Sequence, residues 1–130
     1  LPPKDSFDAG LAVLAKGGVL ACIIDQHRGG DRAVVIDFFG RPASTGPAPT
    51  LFAIRGDAPV FTVWVTIADD DSYVGRVEGP VPVPDGPDLA ARLQAHTQEL
   101  HARLEAQVRR HPEQWFWVHR RWKVEKRQDP

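Results

Sequence analysis

Apolar residues recur along this chain in three rhythms, and each predicts a different element. Phe7, Leu11 and Leu14 share one helical face, Asp5 or Ser6 can cap ahead of them, and Gly17 and Gly18 follow. That pattern predicts a helix over 7–16 that stops at the glycine pair. Residues 19–24 (VLACII) are continuously apolar and rich in branched side chains. Such a run suits a strand buried on both faces, as in a parallel sheet covered by helices. A polar loop, DQHRGGDR at 25–32, separates it from a second apolar run at 33–39. The stretch 40–47 (GRPASTGP) predicts a turn-rich connection. In it Thr45 or Gly46 can cap, and Pro47 suits the first position of a short helix that ends at Gly56.

Residues 61–67 alternate: Phe61, Val63, Val65 and Ile67 face one way, Thr62, Trp64 and Thr66 the other. This predicts a strand, with a turn at Asp69–Asp71 and an antiparallel partner over 72–81. Pro80, Pro82, Pro84 and Pro87 make a stiff link into the longest helix, 87–110. Its apolar stripe is Leu89, Leu93, Leu100, Leu104 and Val108. The order of elements predicts an α/β fold with a mixed sheet and flanking helices. Residues 1–86 form its core, and 87–130 add the long helix and an aromatic, basic end to the same domain.

A chain of 130 residues fits one domain. Sixteen basic against seventeen acidic side chains argue against a general nucleic-acid binder. The charge is uneven, however. Acid gathers in the middle, while residues 103–129 hold eight Lys/Arg against four Asp/Glu. The single cysteine, Cys22, excludes an internal disulfide, makes a metal site unexpected, and in its apolar run predicts a buried, inert thiol. No stretch approaches the roughly 20 apolar residues of a membrane-spanning helix. No signal-peptide pattern is visible, and the Leu1 start reads as a cut through a longer polypeptide.

In open α/β sheets ligands sit at the carboxyl ends of strands. Asp25 stands at such an end, followed by Gln26, His27 and Arg28. A carboxylate there can orient a base, bind a cation or accept from a hydroxyl, or simply cap the next turn. Gly29 and Gly30 would let an anion approach the backbone. The tripeptide at 55–57 (RGD) is better explained as a helix stop. His96 and His101 lie five apart, off the i, i+4 spacing that pairs ligands on a helix. There is no G-x-S-x-G elbow, P-loop or G-x-G-x-x-G motif.

The end of the chain carries the densest signal. Within 111–123 (HPEQWFWVHRRWK) stand Trp115, Trp117 and Trp122 beside Arg120, Arg121 and Lys123. Indole rings favour headgroup depth and Arg/Lys answer lipid phosphates. The ordered set GGVLACIIDQ (17–26), FFGRPASTG (38–46), LFAIR (51–55), APV (58–60) and PEQWFWVHRRWK (112–123) resembles the lipid A biosynthesis (lauroyl/myristoyl) acyltransferase family, C-terminal part. The resemblance covers nearly the whole chain. It implies the C-terminal half of a glycerol-phosphate-acyltransferase-like fold, at the cytoplasmic face of a Gram-negative inner membrane.

Such enzymes move a fatty acyl chain from acyl carrier protein, or a CoA thioester, to a hydroxyl of a lipid A precursor or related glycolipid. No further cofactor, metal or nucleic acid is implied. The family's His-x4-Asp/Glu dyad supplies the general base and its orienting carboxylate. No histidine here has an acid five residues on. The resemblance places the dyad N-terminal to this region, so the chain alone is expected to be inactive.

On the same resemblance Asp25 and Gln26 position substrate, and Arg28, Arg41 and Arg55 meet phosphate or the thioester carbonyl. Thr45 bonds substrate or, preferably, caps the helix. Phe38, Phe39, Phe52 and Trp64 line an acyl channel or belong to the core. At least one of Trp115, Trp117 and Trp122 packs on the long helix, while Arg120, Arg121 and Lys123 face headgroups or the acidic carrier protein. The alternatives are a non-catalytic lipid- or partner-binding module and an RNA-binding module using the aromatic, basic tail. The near-zero net charge and the lack of an RNP-like strand speak against RNA.

Overall fold

The computed structural model describes residues 4–123. The chain is α/β, in the order α1 (Lys4–Ala15), β1 (Val34–Phe38), β2 (Arg41–Thr45), α2 (Ala48–Gly56), β3 (Val60–Ile67), β4 (Tyr73–Val81) and α3 (Leu89–Arg110), with a 3-10 turn at Pro112–Gln114. Among the described residues the strands form two antiparallel ribbons, β1–β2 and β3–β4.

α1 is already helical at Lys4, so neither Asp5 nor Ser6 is its N-cap. It ends as the glycine pair predicts. Gly18 N–H donates to Val13 O, Gly17 N–H donates to Leu14 O, and Gly17 takes a φ of +74°. This is the Schellman arrangement, which satisfies the last orphan carbonyls.

Residues 19–24 are not the expected buried strand. Among the described residues no strand runs through them, and Val19 and Ile23 are 88% and 86% exposed. Continuous apolarity reports an intended burial, but a doubly covered strand needs neighbours on both edges and both faces. Here the segment forms one wall of an open cleft. Cys22 is accordingly exposed rather than core. The apolar atoms around it desolvate the thiolate and hold its pKa above the ordinary value.

The connection expected at 40–47 is largely a strand. β1 and β2 pair through Val34↔Thr45 to Phe38↔Arg41 around a two-residue turn, with φ of +57° at Phe39 and +70° at Gly40. Two positive φ values match the hairpin turn whose twist suits antiparallel strands. A phenylalanine is strained in the first position. Its surroundings hold it there: the ring packs near Trp115 and Trp117, Arg109 lies 4.7 Å over it, and Glu105 accepts its N–H at 2.7 Å. Thr45, expected to cap α2, is instead buried at the end of β2. Pro47 occupies the N-cap position without a side-chain bond.

α3 organises the rest. Asp88 caps it by accepting from Ala90 N–H and Ala91 N–H. One face buries Leu100, Leu104 and Val108, but also His96, Thr97 and His101. Leu104 and Val108 meet Ile36, Phe38 and Ala43 of the hairpin to form the core. An adjacent polar face lies along the free edge of β1. Gln94 Nε2 donates to Val35 O, and Gln98 both accepts from Asp37 N–H at 2.8 Å and donates to Asp37 O at 2.9 Å. Glu105 completes the row at Phe39. Helix rise per turn is close to the two-residue repeat of a strand, so side chains four apart can follow alternate peptides. A helix thereby caps a sheet edge that would otherwise invite pairing. Replacing Gln98 by Leu should cost about 1–2 kcal/mol, two modest hydrogen bonds, read as a lower urea midpoint at unchanged m-value.

Candidate functional site

The loop after residue 24 comes back to β2. Arg28 N–H donates to Ser44 O at 3.2 Å and Ser44 Oγ donates to Arg28 O at 2.6 Å. This places Asp25, Arg28 and Thr45 at one end of the hairpin. Gly46 completes the approach, since a Cβ there would lie 3.6 Å from Arg28 Cγ. Gln26 and Arg28 are exposed. Arg41, at the opposite end of β2, has its guanidinium carbon 5.1 Å over the Trp122 ring, and Arg55 is exposed in the last turn of α2. These two arginines are therefore not brought to Asp25.

The residue that joins Asp25 is Arg121. Expected at a lipid or carrier surface, it is fully buried. Its Nη1–H donates to Ser44 O at 2.8 Å and its guanidinium lies 5.3 Å over the Phe38 ring. Burial pulls its pKa below the usual arginine value, and the Asp25 charge pulls it back up. The Asp25 Oδ1 and the Arg121 Nε and Nη2 are buried without a hydrogen-bond partner among the described residues. Two complementary charges thus face a common interior, where attraction is stronger than in water. His119, two residues earlier, accepts from His27 N–H through Nε2 at 2.8 Å. Within the HRRW signature, His119 and Arg121 face the 25–28 loop, Trp122 packs on Phe38, and Arg120 is exposed.

His101 completes the group. Its Nδ1 faces Thr97 O at 2.8 Å, and its Nε2 faces Ile24 O at 3.0 Å and Thr45 Oγ1 at 3.3 Å. A neutral ring can give only one N–H to the two carbonyls. Burial nevertheless keeps the ring below its ordinary pKa; the two carbonyls and Asp25 oppose that, and Arg121 reinforces it. An imidazole beside a carboxylate is the pairing general-base catalysis uses. This one is sealed, with both nitrogens engaged, so it holds α3 to the loop and to β2.

His96 does similar work across α2, α3 and β4. Its Nδ1 meets Thr50 Oγ1 at 2.8 Å and its Nε2 meets Val81 O at 3.1 Å. Neither histidine belongs to a metal-ligand cluster among the described residues. His96 lies four residues before Leu100 on the buried face of α3, and His101 lies three before Leu104. A histidine in a leucine register was the available sequence signal for a buried hydrogen-bonding role.

A cleft of about 440 Å³ opens beside this group. Its walls are the 18–24 segment and β3, and Phe52, Ala53 and Leu100 contribute from α2 and α3. Of the four aromatics read as acyl channel or core, Phe52 and Trp64 line the cleft, and Trp64 also packs against the core. Phe38 and Phe39 instead stack with Trp115 and Trp122 at the core. Trp122 Nε1–H also donates to Phe38 O at 3.1 Å. The outward part of the terminal segment consists of Phe116, Trp117, Val118, Arg120 and Lys123. No helix among the described residues is long and apolar enough to cross a membrane.

The family model for bacterial lipid A biosynthesis acyltransferases matches residues 1–124. The chain belongs to that family. Its signature residues thus fall into two groups, those that bind the loop and core together and those that remain outside. No curated protein matches the chain. Membership makes acyl transfer to lipid A the general activity and an acyl donor with a lipid A acceptor its general substrates.

Buried neutral histidines give a pH dependence of definite sign. The unfolded chain binds protons near pH 6.5, and the folded chain binds them at lower pH because burial lowers both His96 and His101. Glu99 near His96, and Asp25 near His101, narrow the gap, while Arg121 widens it for His101. Stability is full above about pH 6.5 and falls below it. Thermal unfolding monitored by circular dichroism should give a lower Tm at about pH 5.5 than at about pH 7.5. The drop should shrink in His96→Gln.

Proposed function

We propose that this chain provides the acyl-chain cleft and the acceptor-facing loop of a lipid A acyltransferase. On this reading the chain moved comes from acyl carrier protein or a CoA thioester and goes to a hydroxyl of a lipid A precursor or related glycolipid. The observation that carries the reading is the family match across residues 1–124. The open apolar cleft supports it, since its walls of branched and aromatic side chains suit an alkyl chain and offer little to a polar ligand. Gln26 and Arg28 would meet the acceptor or its phosphate, with Arg41 and Arg55 as further phosphate partners. Asp25 and Thr45 act from within, through Arg121 and His101. The exposed Phe116, Trp117, Val118, Arg120 and Lys123 form the surface that would lie on anionic headgroups, at the cytoplasmic face of the inner membrane, or on the acidic carrier protein.

The general base comes from elsewhere. No histidine in the 130 residues stands five before an Asp or Glu, and His101, the histidine beside Asp25, is sealed. The chain by itself therefore binds and positions without turnover. Incubated with acyl carrier protein thioester and a lipid A precursor, it should transfer no acyl group above the uncatalysed rate by mass spectrometry of the lipid. Fatty acids should bind the cleft, with affinity rising about fourfold per added methylene while the chain still fits, the equivalent of about 0.8 kcal/mol each. Leu20→Glu, which puts a charge in the wall, should weaken binding at least tenfold in a fluorescent fatty-acid displacement titration. Unchanged affinity across chain lengths would sink the acyl reading of the cleft.

A further inference from the structure

The space between β3 and α3 continues past the cleft. A second cavity of about 140 Å³ lies further along the same two elements. The side chains lining the two spaces run in order. Thr62, Trp64 and Thr66 share one face of β3, because side chains two apart on a strand point the same way. Of these, Thr62 lines the cleft only, Thr66 the second cavity only, and Trp64 both. On α3, Leu100 lines the cleft, and Leu104 and Val108, about one and two turns on, line the second cavity. The two spaces therefore lie end to end in one seam, with Trp64 at the join.

Side-chain size explains the division. The seam is open beside the two threonines and interrupted at the indole between them. Trp64 is half-buried and packs on the cluster of Phe38, Leu104 and Val108. Its backbone is held opposite Arg76 in the β3–β4 ladder. Fixed from both directions in a close-packed interior, the ring closes the passage. The join also lies at the inner side of the cleft. Val19 and Phe61, 88% and 48% exposed, stand on its open side, whereas Thr62 and Leu100 are 7% and 3% exposed. The carrier of an acyl thioester is far too large for a space of about 440 Å³. The carboxyl end of the chain therefore stays at the open side, and the methyl end goes inward.

We propose that Trp64 sets the longest acyl chain this cleft accepts, its indole stopping the methyl end short of the cavity beyond. The inference rests on the acyl reading of the cleft given above; the division of the seam does not. Up to the indole each added methylene leaves water for an apolar wall and strengthens binding. Past it a further methylene either stays in water or forces a packed ring aside, which is unfavourable. The rise of affinity with chain length therefore has a knee, and Trp64 places it. The space behind suits more of the same chain. Val65, Leu104, Val108 and Trp115 line it, and the Gln114 carboxamide beside them already bonds the Ile67 peptide through both its oxygen and its nitrogen. A side chain of threonine size at position 64 would join the two spaces into one.

The probes are saturated fatty acids of increasing length, titrated against a bound fluorescent fatty acid. In the native chain affinity should climb with length and then level at the knee. Trp64→Ala should move the knee to longer chains, and the acid two carbons past the native knee should bind about tenfold more tightly than it does to the native chain. Trp64→Leu keeps an apolar side chain on the core, so it carries the test where the alanine variant does not fold by circular dichroism; its knee should move the same way. Thr66→Phe fills the second cavity with a residue that strands favour. It should leave the native series unchanged and pull the knee of the Trp64 variant back. A knee that stays in place when Trp64 is truncated overturns the proposal. So does a Thr66→Phe change that shortens the series in the native chain, because the far cavity would then be reached with the indole in place. The two readings fail differently: binding independent of length in the native chain defeats the acyl cleft itself, whereas a knee that is present but unmoved defeats only the role of Trp64.

Discussion

The packing of α3 against the β1–β2 hairpin is the interaction on which everything else rests. Phe38 sits at its centre, fully buried, with Trp115 and Trp122 ring centroids 5.7 and 5.9 Å away. The same helix caps the β1 edge through its glutamines and ties α2, β2 and β4 through His96 and His101. A single helix thus supplies apolar burial, edge protection and polar cross-links. Helix geometry makes that possible, because three adjacent faces of one cylinder can meet three different neighbours.

Much of this was legible from local pattern. The β3 alternation, the Asp69–Asp71 turn, the β4 return and the long helix follow from periodicity and turn chemistry, and the Gly17–Gly18 stop follows from the left-handed conformation it needs. What misled was apolarity read without its partners. Residues 19–24 look like a buried strand because their composition anticipates neighbours, yet among the described residues no strand forms there. The β1–β2 hairpin was hidden for a different reason. Its turn is Phe39-Gly40 where short-range signals favour Asn or Asp, and Pro42 sits inside the strand. Phe39 adopts a positive φ only because distant residues, Glu105, Arg109 and Trp115, hold it. No local rule contains them.

The candidate site divides along the same line. Asp25 was recognisable from its place after an apolar run. Its tie to Arg121 spans nearly the whole chain and could not be seen in spacing. The aromatic, basic signature looked uniformly like a surface. In the fold it alternates between anchoring and exposure: Arg121 and Trp122 go inward, while Trp117, Arg120 and Lys123 stay out. A dense motif can therefore hold two physical roles at adjacent positions, and residue type alone does not separate them.

Arg121 keeps its charge, because a guanidinium is not deprotonated in proteins. A permanent positive charge enclosed beside Phe38 and Ser44 O restricts what can stand at position 25 over evolutionary time. A neutral residue there would strand the charge, and a basic one would repel it. Positions 25 and 121, separated by most of the sequence, are thereby tied in inheritance, free to drift only as a pair.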